Sequence, residues 1–201
     1  MIYLYGAGGH AKVVLEILKA QSFADFRIID SEKKGTFLGL PICNHLKIEE
    51  VAPGDSLIIA VGNNEVRKLI AGKYAFVKGM QAIHPSANIS PSATLCEGTV
   101  IMAGVSIQAD TRIGKQCIIN TNSSVDHDNV IGDFVHISPN AAIAGAVEIG
   151  DGTHIGIGAC VIQGVKIGSW VTIGAGAVII DDVPDRAVVV GNPGRIIKYN
   201  L

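Results

Sequence analysis

Two histidines and two aspartates are concentrated in one short segment, "SSVDHDNVIGDFVHIS". His127 lies between Asp126 and Asp128, and His136 follows nine residues later. A carboxylate bonded to one imidazole nitrogen fixes the tautomer and raises the basicity of the ring. The segment therefore predicts a functional histidine. The alternative is a pair of surface histidines without a chemical role.

A six-residue repeat fixes where these histidines lie. An aliphatic residue occurs at every sixth position from Ile83 to Ile179, which makes (179 − 83)/6 + 1 = 17 consecutive hits. A small or modest residue follows four positions after each. Six is a multiple of the two-residue strand period, so both positions point to the same side of short strands. Because His127 and His136 occupy neither position, we expect both outside the core.

Short strands joined by sharp turns wind into a triangular prism with three hexads, or 18 residues, in each coil. This pattern is typical of a hexapeptide-repeat, parallel β-helix, and the repeat predicts between five and six coils. Glycines that directly follow the aliphatic position are expected at the corners, where a positive φ costs glycine little. These are Gly114, Gly132, Gly150, Gly156, Gly168 and Gly174.

The first eighty residues have a different pattern. A buried strand at "IYLYG", a glycine-rich turn and a helix around 11–20 are followed by predicted strands at "FRIID" and "SLIIAVG". A second helix is predicted at "NNEVRKLIAGK", where an asparagine suits the N-cap. Two domains result: an α/β nucleotide-binding (Rossmann-like β-α-β) domain at 1–80, and an all-β parallel β-helix domain at 81–201 with a short C-terminal tail.

The turn "GAGGHA" fits the nucleotide-binding motif G-x-G-x-x-[G/A], and Asp30 follows at about the distance of a ribose-binding acid. A dinucleotide fold needs two such halves, whereas one half suits one nucleotide. Glycine amides and the helix N-terminus would stabilise the phosphates of a nucleotide sugar. His10 and Asp30 favour binding because they end neighbouring elements at one edge. The alternative is a tight turn without a ligand.

Composition excludes several classes of function. The net charge of −2, without a basic cluster, gives no indication of a nucleic-acid partner or an anionic membrane surface. The apolar runs are too short to predict a membrane span. The start "MIYLYGAGGHAK" lacks the basic region and long apolar run of a signal peptide. We therefore expect a soluble, cytoplasmic protein.

Metal and thiol chemistry are not expected. His127, His136 and His154 are separated by 9 and 18 residues, unlike the close pair with a distant third histidine of hexapeptide-type carbonic anhydrases. Cys117 falls on an inward position with no histidine placed in sequence to activate it. The four cysteines, Cys43, Cys96, Cys117 and Cys160, lack C-x-x-C spacing and are expected to be reduced.

Five segments along nearly the whole chain are distinctive when taken together: "YGAGGHAK", "IAVGNNEVRKLI", "HPSANISPSA", "NTNSSVDHDNVIGDFVHISPNAAIAG" and "VVVGNPGRII". They resemble one known group, the bacterial nucleotide-sugar (UDP-4-amino-sugar) N-acetyltransferases and sialic-acid O-acetyltransferases of the left-handed β-helix superfamily. The resemblance implies a left-handed winding and a homotrimer with active sites between subunits.

The activity that the resemblance implies is transfer of an acetyl group from acetyl-CoA to the amino group of a nucleotide-linked amino sugar. A thioester is already an activated acyl donor, so direct attack in a ternary complex suffices. An alternative is O-acetylation of a sialic acid or a sugar hydroxyl with the same base. A non-catalytic β-helix scaffold is disfavoured, because the outward positions are chemically mixed and form no regular ladder.

The resemblance also assigns roles to residues. It implies His127 as general base and places Asp128 where relatives often have glutamate, so Asp126 remains an alternative orienting group. His136 would lie near the thioester carbonyl and Asn120 beside the sugar amine. The nucleotide sugar would be held by Gly8, Gly9, His10, Asp30, Gly62 and Asn120, and acetyl-CoA by His136, Gly145, Ile157 and Ala175.

Overall fold

The computed structural model describes residues 1–200. The N-terminal part is a six-stranded sheet flanked by two helices, α1 (Gly9–Ala20) and α2 (Asn64–Lys73). Its strands are β1 (Ile2–Tyr5), β2 (Phe26–Ile29), β3 (Thr36–Phe37), β4 (Leu40–Cys43), β5 (Ser56–Ile59) and β6 (Lys78–Gly79), and a 3₁₀ turn lies at Ile48–Glu50. The strand order is β3-β4-β2-β1-β5-β6, parallel except for the β3/β4 pair.

The two helices cover opposite faces of this sheet. The apolar stripe of α1, including Val14, Ile17 and Leu18, is buried in a cluster that continues into the β-helix. Helix α2 packs on the other face, with Ile70 in a separate cluster that contains Tyr3 and Tyr5. The predicted cap of α2 is confirmed one residue before the helix, where the Asn63 side chain accepts a hydrogen bond from the backbone N–H of Val66 at 3.0 Å.

The predicted hexads form two-residue strands of a parallel β-helix. Faces one, two and three follow one another along the chain, and each face continues one coil, 18 residues, later. Face one contains β7 (Ala82–Ile83), β10 (Val100–Ile101), β13 (Ile118–Ile119), β16 (His136–Ile137), β19 (His154–Ile155), β22 (Thr172–Ile173) and β24 (Ala187–Val190), with β25 (Arg195–Tyr199) antiparallel at its end. Face two contains β8 (Asn88–Ile89), β11 (Ser106–Ile107), β14 (Ser124–Val125), β17 (Ala142–Ile143), β20 (Cys160–Val161) and β23 (Val178–Ile179). Face three contains β9 (Thr94–Leu95), β12 (Arg112–Ile113), β15 (Val130–Ile131), β18 (Glu148–Ile149) and β21 (Lys166–Ile167).

Three corners join these faces. Corner one follows face one (120–122 in one coil), corner two follows face two (126–128), and corner three follows face three (132–134). Apolar residues fill the interior, as the six-residue period predicts, and most side chains of the aliphatic positions are fully buried. No helix in residues 1–200 is long and apolar enough to cross a lipid bilayer.

The expectation that glycine directly after the aliphatic position supplies a positive φ is wrong. The left-handed residue lies two positions further on, as at Asn122 (φ 56°), Asp128 (58°) and Phe134 (60°). At the positions where glycine does directly follow the aliphatic residue, such as Gly150, the next coil approaches closely. A Cβ on Gly150 would lie 2.6 Å from the backbone nitrogen of Ser169 and 2.7 Å from the carbonyl carbon of Gly168.

Several of the small inward residues are polar and tie coils together. The Thr153 hydroxyl donates to the carbonyl of Gly168 at 2.7 Å and accepts from the N–H of Val171 at 3.1 Å. The hydroxyl of Thr99 makes the same pair of bonds to Gly114 and Cys117. Buried polar groups of this kind are tolerated because each has its partners.

We expect Gly150→Ala to destabilise the protein by about 2 kcal/mol, because rigid backbone atoms cannot yield to the new methyl group. Thermal unfolding should show a melting temperature lower by about 4–8 °C. Gly72→Ala is the matched control: a Cβ there meets no atom within 4 Å, and alanine in place of a helical glycine should leave stability unchanged or raise it by up to about 1 kcal/mol. A melting temperature of Gly150→Ala equal to that of the wild type would contradict this account of the corners.

Candidate active site

His127 lies at corner two with an exposed side chain. Its Nδ1 is 2.8 Å from a carboxylate oxygen of Asp128. Asp126 instead accepts the backbone N–H of His127 at 2.8 Å. The structure therefore brings Asp128 to the ring, and the left-handed φ of Asp128 is one that aspartate tolerates better than most residues.

The Asp128 contact sets the protonation chemistry of His127. The hydrogen bond to Asp128, followed by the charge of Asp126, raises the pKa of His127 above its ordinary value of 6.5. In the neutral ring, Nδ1–H donates to the carboxylate and Nε2 carries the lone pair. No hydrogen bond to Nε2 is made within residues 1–200, so this nitrogen is available as a proton acceptor.

The His127 corner is braced from inside the prism. The buried Thr111 hydroxyl and the Asn129 amide both donate to the carbonyl of Asp126, each at 2.6 Å. Gly145 lies one coil beyond His127, and a Cβ there would approach the imidazole to 2.6 Å. The absence of a side chain at Gly145 therefore leaves the space that the His127 ring occupies. From the resemblance, Gly145 was expected only to line the acetyl-CoA groove.

His136 lies on face one, whereas His127 lies at corner two. The Nε2 atom of His136 is 3.1 Å from the Asn120 side-chain nitrogen. The Asn120 oxygen accepts the N–H of Thr121 at 2.8 Å, which turns the amide NH₂ toward the imidazole. Nε2 of His136 is therefore an acceptor, and the neutral ring carries its proton on Nδ1.

His136 is covered by the N-terminal part of the chain. Burial, then the neighbouring His154, Arg67 and His10, lower its pKa to about 3, although the backbone of Gly62 acts in the opposite direction. The rings of His136 and His154 are stacked with centroids 4.9 Å apart. A neutral ring whose Nε2 accepts from Asn120 cannot donate a hydrogen bond to a carbonyl through that atom. This geometry does not favour His136 as the group that polarises a thioester.

His10, in the first turn of α1, lies near His136 at the junction between the N-terminal part and the β-helix. Burial and then Arg67 lower its pKa to about 4. Its buried Nε2 has no hydrogen-bond partner among residues 1–200. The histidine thus stays neutral and offers one unsatisfied polar atom beside His136.

The glycine-rich turn has space for a ligand on its outer side. A Cβ on Gly8, Gly9 or Gly62 would meet no atom within 4 Å, and the first N–H groups of α1 have no partner within the helix. The side chain of Asp30 accepts three backbone N–H groups, from Ala7, Glu32 and Lys33, at 2.9–3.0 Å. Burial raises the pKa of Asp30, but these donors outweigh burial and leave it below the ordinary value. Asp30 therefore holds two loops together, whether or not it also meets a ribose.

Ile157 and Ala175 lie at corner one, one coil apart, and the side chain of Ile157 is 53% exposed. A single chain thus separates the candidate residues into groups. His10, Gly62, Asn120 and His136 meet at the junction, with Gly8, Gly9 and Asp30 at the adjoining loop edge. Ile157 and Ala175 lie at corner one, two and three coils beyond Asn120. His127, Asp128 and Gly145 lie at corner two, across face two.

Of two cavities in the described structure, one adjoins the candidate residues and the other does not. One of about 410 Å³ lies between the start of α2 and the β-helix and is lined by Gly62, Asn64, His154 and Trp170, among others. Another, of about 660 Å³, lies on face three around Glu148 and Lys166 and contains none of the candidate residues. Cys117 is buried, and burial raises its pKa to about 12, as expected of an inert thiol. No cluster of metal-binding side chains occurs in the described part of the chain.

No motif in the sequence indicated the roles of Arg67, Asn64, Thr111 and Asn129. The inward positions of Thr111 and Asn129 follow from the period, but their bonds to the His127 corner depend on residues 15 and 3 positions away. Arg67 belongs to the predicted helix "NNEVRKLIAGK", yet it is 1% exposed. Only the docking of α2 on the β-helix reveals its position.

Comparison with known proteins agrees with this architecture. The family model of the PglD N-terminal domain matches residues 1–74, and that of the bacterial transferase hexapeptide (six repeats) matches residues 146–181. The UDP-N-acetylbacillosamine N-acetyltransferase of Bacillus subtilis (strain 168) is 44% identical over 110 residues, which cover 51% of each chain. The alignment thus spans about half the length of that relative.

Solved structures match over almost the full length. A mutant of perosamine N-acetyltransferase from Caulobacter crescentus, in complex with CoA and GDP-perosamine, has a TM-score of 0.93 and 38% identity, covering 98% of this chain and 96% of that chain. The acetyltransferase domain of PglB from Neisseria gonorrhoeae FA1090, in complex with acetyl coenzyme A, has a TM-score of 0.90 and 39% identity, covering 98% of both chains.

We expect NMR titration to give His127 a pKa above 6.5, because Asp128 and Asp126 favour its protonated form. Asp128→Asn should lower that pKa, since it removes the partner of Nδ1. Asp133→Asn is the control, because Asp133 is a partly exposed corner aspartate that bonds the N–H of Lys115 and not an imidazole. An unchanged His127 titration in Asp128→Asn would contradict the pairing.

Proposed function

The chain belongs to the family of bacterial hexapeptide-repeat, acetyl-CoA-dependent N-acetyltransferases, and we propose that it acetylates the amino group of a nucleotide-linked amino sugar. The observation that carries the proposal is His127 itself: an exposed imidazole with a carboxylate on Nδ1 and an open Nε2. The relatives named above include a structure with CoA and GDP-perosamine. The nucleotide part would bind to residues 1–80 and the thioester to the β-helix of residues 81–201.

In the proposed reaction the amine attacks the thioester carbonyl directly. His127 Nε2 accepts the proton that the amine loses as the C–N bond forms. The same nitrogen returns a proton to the thiolate when the C–S bond breaks, so the enzyme ends unchanged. A general base of this kind contributes about 10²–10⁴ in rate, and the rest would come from holding two substrates together.

The histidine junction would bind the amino sugar. Gly8, Gly9 and the start of α1 offer backbone N–H groups to phosphate oxygens. We assign His10 to the nucleotide-sugar site, because its Nε2 has no partner in residues 1–200 and the ring lies near His136, and we place Asn120 beside the sugar amine. Because His136 accepts from Asn120, we assign His136 to orienting that amide, and we assign polarisation of the thioester carbonyl to a backbone N–H.

The separation of the groups supports a homotrimer. In one chain, the base at corner two is separated by face two from Asn120 and from Ile157 and Ala175 at corner one. If corner one of one copy meets corner two of the next, base, acceptor and thioester come together. A head-to-tail contact of this kind closes into a ring when the rotation permits, and a ring of three is the assembly that the resemblance implies.

The experiment that tests the function is a thiol-release assay with acetyl-CoA against UDP-, GDP- and CMP-linked amino sugars, with the corresponding hydroxy sugars and sialic acid as further arms. We expect turnover with a nucleotide-linked amine, and His127→Ala should lower kcat at least about 100-fold while acetyl-CoA still binds. His45→Ala, which alters a loop histidine of the α/β region, is the control. Turnover only with hydroxyl acceptors would establish O-acetylation instead, and unchanged kcat in His127→Ala would remove the base assignment.

Mixing two inactive variants tests the intersubunit site. His127→Ala and Asn120→Ala alter different corners, so co-refolded 1:1 mixtures should contain sites with both wild-type groups and recover about one quarter of wild-type activity. Light scattering on the same samples should give a trimer. No recovery from mixed trimers, or full activity in a monomer, would show that each chain carries its own complete site.

A further inference from the structure

Helix α2 meets a regular column of backbone carbonyls at corner three. Gln116, Phe134 and Gly152 are 18 residues apart, occupy the same place in successive coils and all have positive φ, between 54° and 69°. The carbonyl of each accepts a hydrogen bond from a side chain of α2. The side chains of α2 thus bond to equivalent carbonyls of successive coils, which are spaced about 4.8 Å apart.

Arg67 supplies two of these bonds. Its Nε donates to the carbonyl of Gln116 at 2.7 Å, and Nη2 donates to that of Phe134 at 2.8 Å. The other three N–H groups reach the carbonyls of Val61 and Gly62 and the side-chain oxygen of Asn64, at 3.0, 3.2 and 2.8 Å. All five guanidinium donors are thus used, and every acceptor is a neutral oxygen.

Asn64 extends the pattern by one coil. Its side-chain oxygen accepts from Arg67, and its NH₂ donates to the carbonyl of Gly152 at 2.9 Å. Asn64 and Arg67 lie three positions apart and therefore on one side of α2. Together they span three coils, and a shift of the helix by a fraction of a coil would break several bonds at once.

A buried cation without a carboxylate is costly, and burial lowers the pKa of Arg67 to about 10. Hydrophobic packing alone would join the two parts of the chain without this cost. A fully bonded arginine therefore indicates that α2 and the β-helix must meet in one fixed relative position. The carbonyl of Gly62 provides the link to the site: it is bonded by Arg67 and faces the His136 ring. His136 in turn is bonded to Asn120.

We propose that Arg67, together with Asn64, is a positioning residue that fixes the height at which the nucleotide-binding unit docks on the β-helix, and thereby sets the orientation of His136 and Asn120 toward the sugar. The reaction-related part of this inference rests on the proposed function. Arg67 acts through Gly62 and His136 and touches no reacting atom.

The test compares Arg67→Lys and Arg67→Met with Lys68→Met. Lysine keeps the charge but cannot reproduce the five-donor fork. Lys68 is the matched control, since it belongs to the same helix and its ammonium lies over the Trp170 ring at 5.0 Å without bonding the carbonyl column. We expect both Arg67 variants to raise the KM of the nucleotide amino sugar at least tenfold, with the KM of acetyl-CoA within twofold of wild type.

Imidazole nitrogen NMR supplies a readout that does not depend on turnover. The charged and titratable groups facing His136 are His10 of α1, Arg67 of α2 and His154 of β19. In the wild type, His136 should remain the neutral Nδ1–H tautomer between about pH 5 and 8. In Arg67→Met, loss of the fixed Gly62 carbonyl should mix the tautomers of His136, whereas Lys68→Met should match the wild type. Loss of the cation raises the pKa of His136 and loss of the Gly62 carbonyl lowers it, so the tautomer and not the pKa is the readout.

The outcomes separate this inference from the proposed function. Wild-type enzyme that acetylates no nucleotide-linked amino sugar refutes the function, and the NMR comparison still tests Arg67. A wild-type KM for the amino sugar and a wild-type His136 tautomer in folded Arg67→Lys would overturn the inference. If Arg67→Met does not fold, the KM of the amino sugar and the His136 tautomer are measured in Arg67→Lys and Asn64→Ala. We expect Asn64→Ala to change both in the same direction as Arg67→Lys.

Discussion

The parallel hydrogen-bond ladder between coils is the constraint on which the rest of this structure depends. The backbone N–H of His136 donates to the carbonyl of Thr153, and that of Asn120 donates to Ile137, so each residue lies over the one 18 positions away. Side chains are thereby sorted into columns. The His136–His154 stack and the contact of His127 with Gly145 are both consequences of this spacing.

Two histidines of the same chain acquire opposite character from their places in these columns. His127 is exposed at a corner, and Asp128 and Asp126 raise its pKa. His136 is on a face that the α/β region covers, and burial lowers its pKa to about 3. The first suits proton transfer near neutral pH, whereas the second suits a fixed hydrogen-bond acceptor.

The period of the repeat and the local patterns of the N-terminal part sufficed to predict the β-helix, β1, β2, β5, both helices and the cap at Asn63. They also predicted that His127 and His136 lie outside the prism core. The role of glycine after the aliphatic residue was wrong, because it depends on how close the next coil comes, as at Gly150 and Ser169. The repeat shows which residue types recur at each position. The distance between coils is set only when the hydrogen-bonded ladder forms, and it cannot be inferred from the repeat.

Docking of the α/β region was likewise beyond the local pattern. Arg67 lies in a helix whose sequence resembles an ordinary amphipathic surface helix, and its carbonyl partners Gln116 and Phe134 are 49 and 67 positions away. The three-sided winding gives every corner a column of carbonyls, but only corner three lies against α2. A helix side chain can therefore bond several coils at once without any matching motif in the β-helix sequence.

The bond pattern of Arg67 also bears on how the two parts of the chain behave together. Because its acceptors lie in α2's own preceding loop, at Val61 and Gly62, and on two coils of the β-helix, the same guanidinium ties all three backbone segments. Separating α2 from the β-helix would leave a desolvated cation and carbonyls without partners, which costs more than loss of apolar contact alone. The loop beside His136 is thus held by the same bonds that join the two parts, so that its position follows from the coil spacing and not from the flexibility of a linker.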